Sequence, residues 1–404
     1  MDPRTNPYAP GAGTPPPELV GRDPLIERID IALDRIKNGR ASRSFVMYGL
    51  RGVGKTVLLN KVRQDALANG IHTVTIEAPE NRSLPSSLAP ALRATLLRLS
   101  ATEAAKEYAG KALRALGGFI NGLKVKFNDI ELGVELPIEK GLADSGNLDH
   151  DLSELLIAVG QAAREQGTAV VLLIDEIQHV PEEQLASLIM ALHAASQAQL
   201  PVTLVGAGLP QLLGQMGDAK SYAERLFEFV HVDKLDQENA VAAVAVPASR
   251  EGVAYQEGAL EEILARTAGY PYFLQEWGKH TWDIAPTSPI TEADAQAATV
   301  QALAELDVSF FRVRLDRLSG AEKIYLRAMA ELGPGPHRSG DIASIMRRKV
   351  TSVAPTRSSL IKKGMVYAPN HGDTAFTVPL FDEYMRRAIP TFAVARADEQ
   401  SNAD

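Results

Sequence analysis

The 404-residue sequence predicts an α/β fold built on a parallel sheet. Three observations predict it: short apolar runs end in glycine or in acids, amphipathic helical periods separate those runs, and strand-like runs vanish after Leu235. Strands that alternate with helices are joined by crossovers, which set neighbouring strands parallel and cover both faces of the sheet.

Taken in order, Pro24–Lys37 places Leu25, Ile29 and Leu33 at helical spacing. Ser44–Tyr48 is an apolar run closing on Gly49, as a buried strand would. Thr56–Ala68 reads as a helix and His72–Ile76 as a β-branched strand. Ala169–Ile174 is fully apolar and stops at Asp175 and Glu176. Glu182–Ala198 carries Leu185, Leu188 and Leu192 on one helical face; Pro201–Val205 and Phe229–Val232 complete the strands.

A segment of about 79–168 interrupts the alternation. It holds an amphipathic helix (Leu88, Leu92, Leu96, Leu99) and an alanine-rich helix, Ala101–Leu116. Strict alternation follows through Leu123, Val125 and Phe127, then Ile130, Leu132, Val134 and Leu136. A turn at Asn128-Asp129 would pair Phe127 with Ile130 and Lys126 with Glu131 in a hairpin. The segment therefore reads as an α+β insertion, placed to carry specificity for a protein partner.

Residues 18–235 thus form an α/β core, 236–317 a helical region and 318–390 a further module. The ends, 1–17 (proline- and glycine-rich) and 391–404, read as flexible tails. With 42 Lys+Arg against 50 Asp+Glu the chain carries −8, so it is no basic nucleic-acid coat. No apolar run reaches the ~20 residues of a membrane span, and the N-terminus lacks the pattern of a secretory signal. The absence of cysteine excludes disulfide scaffolds, thiolate zinc sites and cysteine nucleophiles, and a cytoplasmic location is the default expectation.

Gly49-Leu50-Arg51-Gly52-Val53-Gly54-Lys55-Thr56 matches G-x-x-x-x-G-K-[ST] between an expected strand and an expected helix. Glycines let successive backbone N–H groups curl around phosphate oxygens, and the helix N-terminus that continues through Val57 adds its dipole. Lys55 supplies a point charge to the outer phosphates, and the Thr56 hydroxyl is offered to Mg²⁺. Asp175 ends a strand whose carboxyl end faces the ligand crevice and would hold the metal shell; Glu176 would polarise an attacking water. The bland alternative is a pair of helix-capping acids. ATP is preferred to GTP because Asp233-Lys234-Leu235-Asp236 lacks the Asn amide that a guanine site requires.

On these residues Leu19–Ala285 resembles the AAA+/STAND-type ATPases, especially the archaeal and origin-recognition branch. Val20-Gly21-Arg22-Asp23 resembles the family's motif near the adenine, with Asp23 where Glu is usual. Gly269-Tyr270-Pro271 resembles the lid motif whose proline packs on the base, or is a plain helix–helix turn. The resemblance implies a P-loop NTPase core, a helical lid and a C-terminal winged helix. It also implies that Arg225 is an arginine finger or sensor serving a neighbouring subunit of a homo-oligomer, against the alternative of a surface arginine paired with Glu224 or Glu228. One departure is the expected sensor strand, which runs into Gly206-Ala207-Gly208 rather than a polar residue: either Gln211 substitutes or sensing is lost. Gln178 and His179 read as helix-surface residues.

From Leu318 to Ile389 eleven basic residues face six acidic ones, so this end is suited to an anion. Arg347, Arg348, Lys349, Arg357, Lys362 and Lys363 would cluster where a winged helix meets the DNA backbone, with Thr356 and Arg357 in reach of base edges. A solvated charged face or a protein-docking module is the other reading.

The leading expectation is a Mg²⁺-ATP-dependent switch: γ-phosphate loss changes the angle between core and lid and hence exposure of the C-terminal module. One rival is a non-hydrolysing, nucleotide-bound scaffold that docks protein partners. Another is a P-loop phosphotransferase, against which Glu176 and the basic module argue.

Overall fold

The computed structural model describes residues 1–391 apart from 79, 81, 101, 102, 128 and 131–135. The chain divides by contact into a first unit, Gly11–Gly49 with Gly54–Asp233, and a second, Met1–Pro10 with Leu50–Val53 and Lys234–Asp404.

The first unit is built on a five-stranded parallel sheet: β1 Ser44–Tyr48, β2 His72–Glu77, β3 Val170–Asp175, β4 Val202–Gly208 and β5 Phe227–His231. The order β2-β3-β4-β1-β5 puts β4 between the strand that leads into the glycine turn and the strand that ends in the acids. Every residue of β3 and β4 is buried, which is why both read as unbroken apolar runs; edge strand β2 exposes Thr75 and Glu77. Its helices are α1 Asp23–Lys37, α2 Lys55–Ala68, α3 Leu84–Leu99, α4 Glu103–Leu123, α5 Leu148–Glu165, α6 Glu182–Gln197, α7 Leu212–Ala219 and α8 Ala223–Leu226.

The regular elements of the expected α+β insertion, among the described residues, are helices. Leu116, Phe119, Ile120 and Leu123 are buried at helical spacing, so α4 continues through Leu123 instead of opening a strand there. Val125, expected on the hairpin's apolar face, is 97% exposed in the turn that follows. Alternation over a few residues lost to a longer helical stripe that buries against α3 and α5. Asn128 and 131–135, the remainder of the expected hairpin, lie outside the described residues.

In the second unit, α9 Gln237–Arg250, α10 Glu257–Thr267, α11 Pro271–Ile284 and α12 Glu292–Leu306 pack around Trp277 and Trp282. The Trp277 indole N–H donates to Thr299 Oγ1 (2.9 Å), joining α11 to α12. A π turn, Asp307–Phe311, carries α12 into α13, Arg312–Asp316. Next come α14 Gly320–Glu331, β6 His337–Arg338, α15 Ser339–Ile345, α16 Val350–Lys362, β7 Val366–Tyr367, β8 Asp373–Phe376 and α17 Phe381–Ala388. The three strands form an antiparallel sheet ordered β6-β8-β7.

The first ten residues differ from the flexible tail expected of them. Tyr8 is buried, its hydroxyl donates to the Val244 carbonyl (2.5 Å), and the Trp282 indole N–H donates to the Asp2 carbonyl (3.0 Å). A proline-rich composition favours disorder only when nothing anchors it; here one aromatic ring and side-chain hydrogen bonds do. The C-terminal tail from 392 onward lies outside the described residues.

Candidate nucleotide-binding site

The site grows from the carboxyl ends of β1 and β3. Beyond β1 the chain turns through Gly52 (φ +81°) and Gly54 (φ +93°), conformations that side chains with a Cβ rarely adopt. Gly54 caps α2, so Lys55, Thr56 and Val57 form the helix's first turn, where backbone N–H groups have no intrahelical partner. The Lys55 side chain, although charged, is buried, and its Nζ donates to the Gly49 carbonyl (2.9 Å). Within the second unit the Gly52 carbonyl accepts the Tyr272 N–H (3.1 Å).

Asp175, the last residue of β3, reaches this turn across β4. The Thr56 hydroxyl donates to its Oδ2 (2.6 Å), and the Glu176 N–H donates to its Oδ1 (2.8 Å). Burial raises the Asp175 pKa above its usual value; the Thr56 and Glu176 hydrogen bonds and the nearby Lys55 charge oppose the rise. A hydroxyl and a carboxylate beside a buried ammonium are a donor set that fits a hard cation and a polyphosphate. Among described residues, Thr56 and Asp175 would hold magnesium, while Lys55 and the N–H groups of the turn would hold phosphate.

Glu176 sits in left-handed backbone (φ +49°, ψ +35°), unusual outside glycine and a form of strain that concentrates at functional sites. Its carboxylate accepts a hydrogen bond from the Gln178 amide, and His179 Nε2 lies 3.6 Å from its Oε2. Gln178 was expected on the surface but is buried, because its Oε1 accepts the Leu209 N–H (2.9 Å) beyond β4. A Cβ on Gly208 would lie 2.6 Å from that oxygen. The glycine at the end of β4 therefore makes room for the Gln178 amide, which links Glu176 to the Leu209 N–H. Sequence reasoning missed this residue; the signal was two glycines at the end of a strand facing a Gln two residues past an acid. Gln211 carries a buried Oε1 that has no hydrogen-bond partner.

The other expected residues are dispersed. Gly21 is exposed with φ +70°, and the adjoining Arg22 guanidinium donates to the Asp233 carbonyl. Arg225 is exposed on the four-residue α8; Glu228, a candidate partner, pairs with Arg28 instead. In the second unit Gly269 (φ +78°) accepts the Leu235 N–H (2.9 Å), while Tyr270 caps α11 and Pro271 opens it.

In the C-terminal module Arg347, Arg348 and Lys349 are exposed just ahead of α16, and Lys362 is exposed at its end. Arg357 is turned toward its own sheet, donating to Thr374 Oγ1 (2.7 Å) and the Asp373 carbonyl (2.6 Å). Lys363 donates to Glu322 Oε2 (2.8 Å) and the Arg317 carbonyl (3.3 Å). Arg357 is thus engaged within its own module, whereas Lys363 stays exposed and pairs with buried Glu322.

Residues 18–205 match the family model of an AAA ATPase domain, and 308–385 match that of a domain of unknown function (DUF8462). A Walker-type ATPase of Pyrococcus abyssi superposes at TM-score 0.57 and 16% identity, covering 91% of this chain and 96% of that one. The Orc1 protein of Aeropyrum pernix, solved in complex with DNA, gives 0.46 and 15%, over 92% and 93%. The RuvB Holliday junction branch migration motor of Thermotoga maritima gives 0.42 and 14%, over 92% and 95%. No curated protein matches the chain in sequence. The first of these structures shows a shared fold, and residues 18–205 are an AAA-type ATPase domain. Among the described residues no helix is long and apolar enough to cross a membrane.

Proposed function

We propose that the AAA ATPase domain binds ATP with Mg²⁺ and hydrolyses it, and that its nucleotide state controls a C-terminal winged helix that binds DNA. The observation that carries the hydrolytic reading is the junction of Thr56 and Asp175, far apart in the chain yet 2.6 Å apart, beside buried Lys55. In this reading Lys55 and the turn's N–H groups fix the outer phosphates, and Thr56 and Asp175 hold the metal, whose role is to neutralise charge on the phosphate oxygens. Glu176 accepts a proton from the attacking water, and Gln178 fixes the orientation of that carboxylate. Exposed Arg225 acts on a neighbouring subunit of a homo-oligomer. The helical insertion, α3 to α5, offers a surface to a protein partner.

Support for the DNA reading is narrower than the charge count suggested. It rests on exposed Arg347, Arg348, Lys349 and Lys362, since Arg357 and Lys363 serve the module's own packing. The order of elements from α14 to β8, helix, strand, helix, helix, strand, strand, supports the winged-helix label.

A second reading, a nucleotide-bound scaffold that does not hydrolyse and docks protein partners, is favoured by the absence of a polar side chain on Gly206-Ala207-Gly208. ATP turnover of the wild type, Lys55→Ala and Glu176→Gln decides between them. Turnover lost in both variants supports hydrolysis. Tight ATP binding with no turnover, with or without DNA, supports the scaffold, and equal turnover in all three proteins overturns the assignment of the site.

A further inference from the structure

A second polar cluster lies wholly in the helical unit. Glu276 and His280 stand one turn apart on α11, and Glu305 faces them from α12. Each can present a ligand atom, and these atoms all lie within 4.8 Å of one another. Glu276 and His280 are each only 7% exposed, yet Glu276 Oε2 and His280 Nε2 have no hydrogen-bond partner. His280 Nε2 is 3.2 Å from Glu305 Oε2 without hydrogen-bonding geometry. The other Glu276 oxygen is already engaged, accepting the Tyr272 hydroxyl (2.7 Å), and Lys279 Nζ donates to Glu305 Oε1 (3.4 Å). Buried polar atoms are almost always satisfied, and two orphans this close together call for a shared partner.

We propose that Glu276, His280 and Glu305 bind a divalent transition cation of the zinc type, bracing α11 against α12. An imidazole with two carboxylates suits Zn²⁺ or its relatives, whereas Mg²⁺ prefers an all-oxygen octahedron. Ligand atoms about 2.1 Å from such an ion stand roughly 3.4 Å from one another. The His280–Glu305 separation of 3.2 Å is already of that size. Separations of up to 4.8 Å within the cluster leave room for adjustment, and Glu305, whose side chain is 50% exposed, can turn. Tyr272 holds the Glu276 carboxylate in place, as the partners of metal ligands commonly do. The cation would staple the helix that begins at Pro271 and is independent of the magnesium expected at Thr56 and Asp175.

The test uses the metal-stripped, nucleotide-free full chain with millimolar Mg²⁺ throughout. Co²⁺ is titrated by its visible absorption and then challenged with Zn²⁺. A saturable band that Zn²⁺ abolishes and Mg²⁺ does not is expected. Glu305→Gln, at a half-exposed position that does not endanger folding, should weaken Co²⁺ binding by about 100-fold, and His280→Gln by at least as much. Asp175→Asn should leave the band unchanged. No saturable band in the wild type overturns the proposal. Equal Co²⁺ affinity in wild type and Glu305→Gln does so too, as does loss of the band in Asp175→Asn.

Discussion

Glu322→Gln should destabilise the C-terminal module, and by an amount that depends on pH. Glu322 is only 4% exposed and sits at the third position of α14. Its Oε2 accepts the Ser319 N–H (2.7 Å) and Lys363 Nζ (2.8 Å), and its Oε1 accepts the Ser359 hydroxyl (2.7 Å). Burial alone would raise its pKa; the Lys363 ammonium, the Ser319 N–H and the Ser359 hydroxyl outweigh burial and hold it at about 2, against an ordinary 4.5. At about 1.4 kcal/mol per unit the shift corresponds to roughly 3 kcal/mol at pH 7. Lys363 is 40% exposed, so water screens part of this, and we expect about 1.5–3 kcal/mol from the substitution. The folded-state pKa lies below the unfolded one. The stabilisation is therefore complete above about pH 4.5 and lost as the pH falls toward 2, leaving roughly 1 kcal/mol at pH 3. A chain with two units need not unfold in one step, so hydrogen exchange of the α14 and α16 amides is the suitable assay. A gap between wild type and variant that is equal at pH 7 and pH 3, or below about 0.5 kcal/mol at pH 7, would refute this reasoning.

Other outcomes follow from the nucleotide site and the module. Lys55→Ala removes a buried cation that in the proposed reading holds the phosphates, so ATP affinity measured by calorimetry should fall by about 100-fold or more, the lower part of the range for truncating a buried charge pair. Thr56→Val should leave binding of metal-free ATP within about threefold and abolish the gain seen on adding Mg²⁺, in a titration with and without EDTA. Gln178→Ala should lower kcat by roughly 10- to 100-fold with ATP affinity little changed, in steady-state turnover alongside equilibrium binding; matched losses in both would assign Gln178 to packing alone. Replacing Arg347, Arg348 and Lys349 together by Ala should reduce the slope of log affinity for duplex DNA against log salt by about 2–3, in gel shifts at several salt concentrations. Arg357→Ala should instead lower the module's thermal stability, since its guanidinium holds Thr374 and the Asp373 carbonyl.

The parallel sheet, the glycine turn and the acids at the end of β3 were legible in the amino-acid sequence because each is a local pattern. A strand buried on both faces must be apolar throughout, a turn of N–H groups needs glycine, and the acids follow directly on an apolar run. Tertiary structure decided what depends on partners far away in the chain. Leu123 fits the end of a long helix as well as a strand's opening, and burial with Phe119 and Ile120 against neighbouring helices chose the helix. Tyr8 had no visible anchor until α9 supplied the Val244 carbonyl. Arg357 and Lys363 look like any basic residue in a charged stretch until Thr374 and Glu322 are folded against them. Gln178 is brought between Glu176 and the Leu209 N–H only because β3 and β4 lie side by side. Periodicity tells which face of an element is apolar; which polar atom meets which across that face is settled by packing, where an unsatisfied buried group costs about 1–3 kcal/mol and so selects its partner.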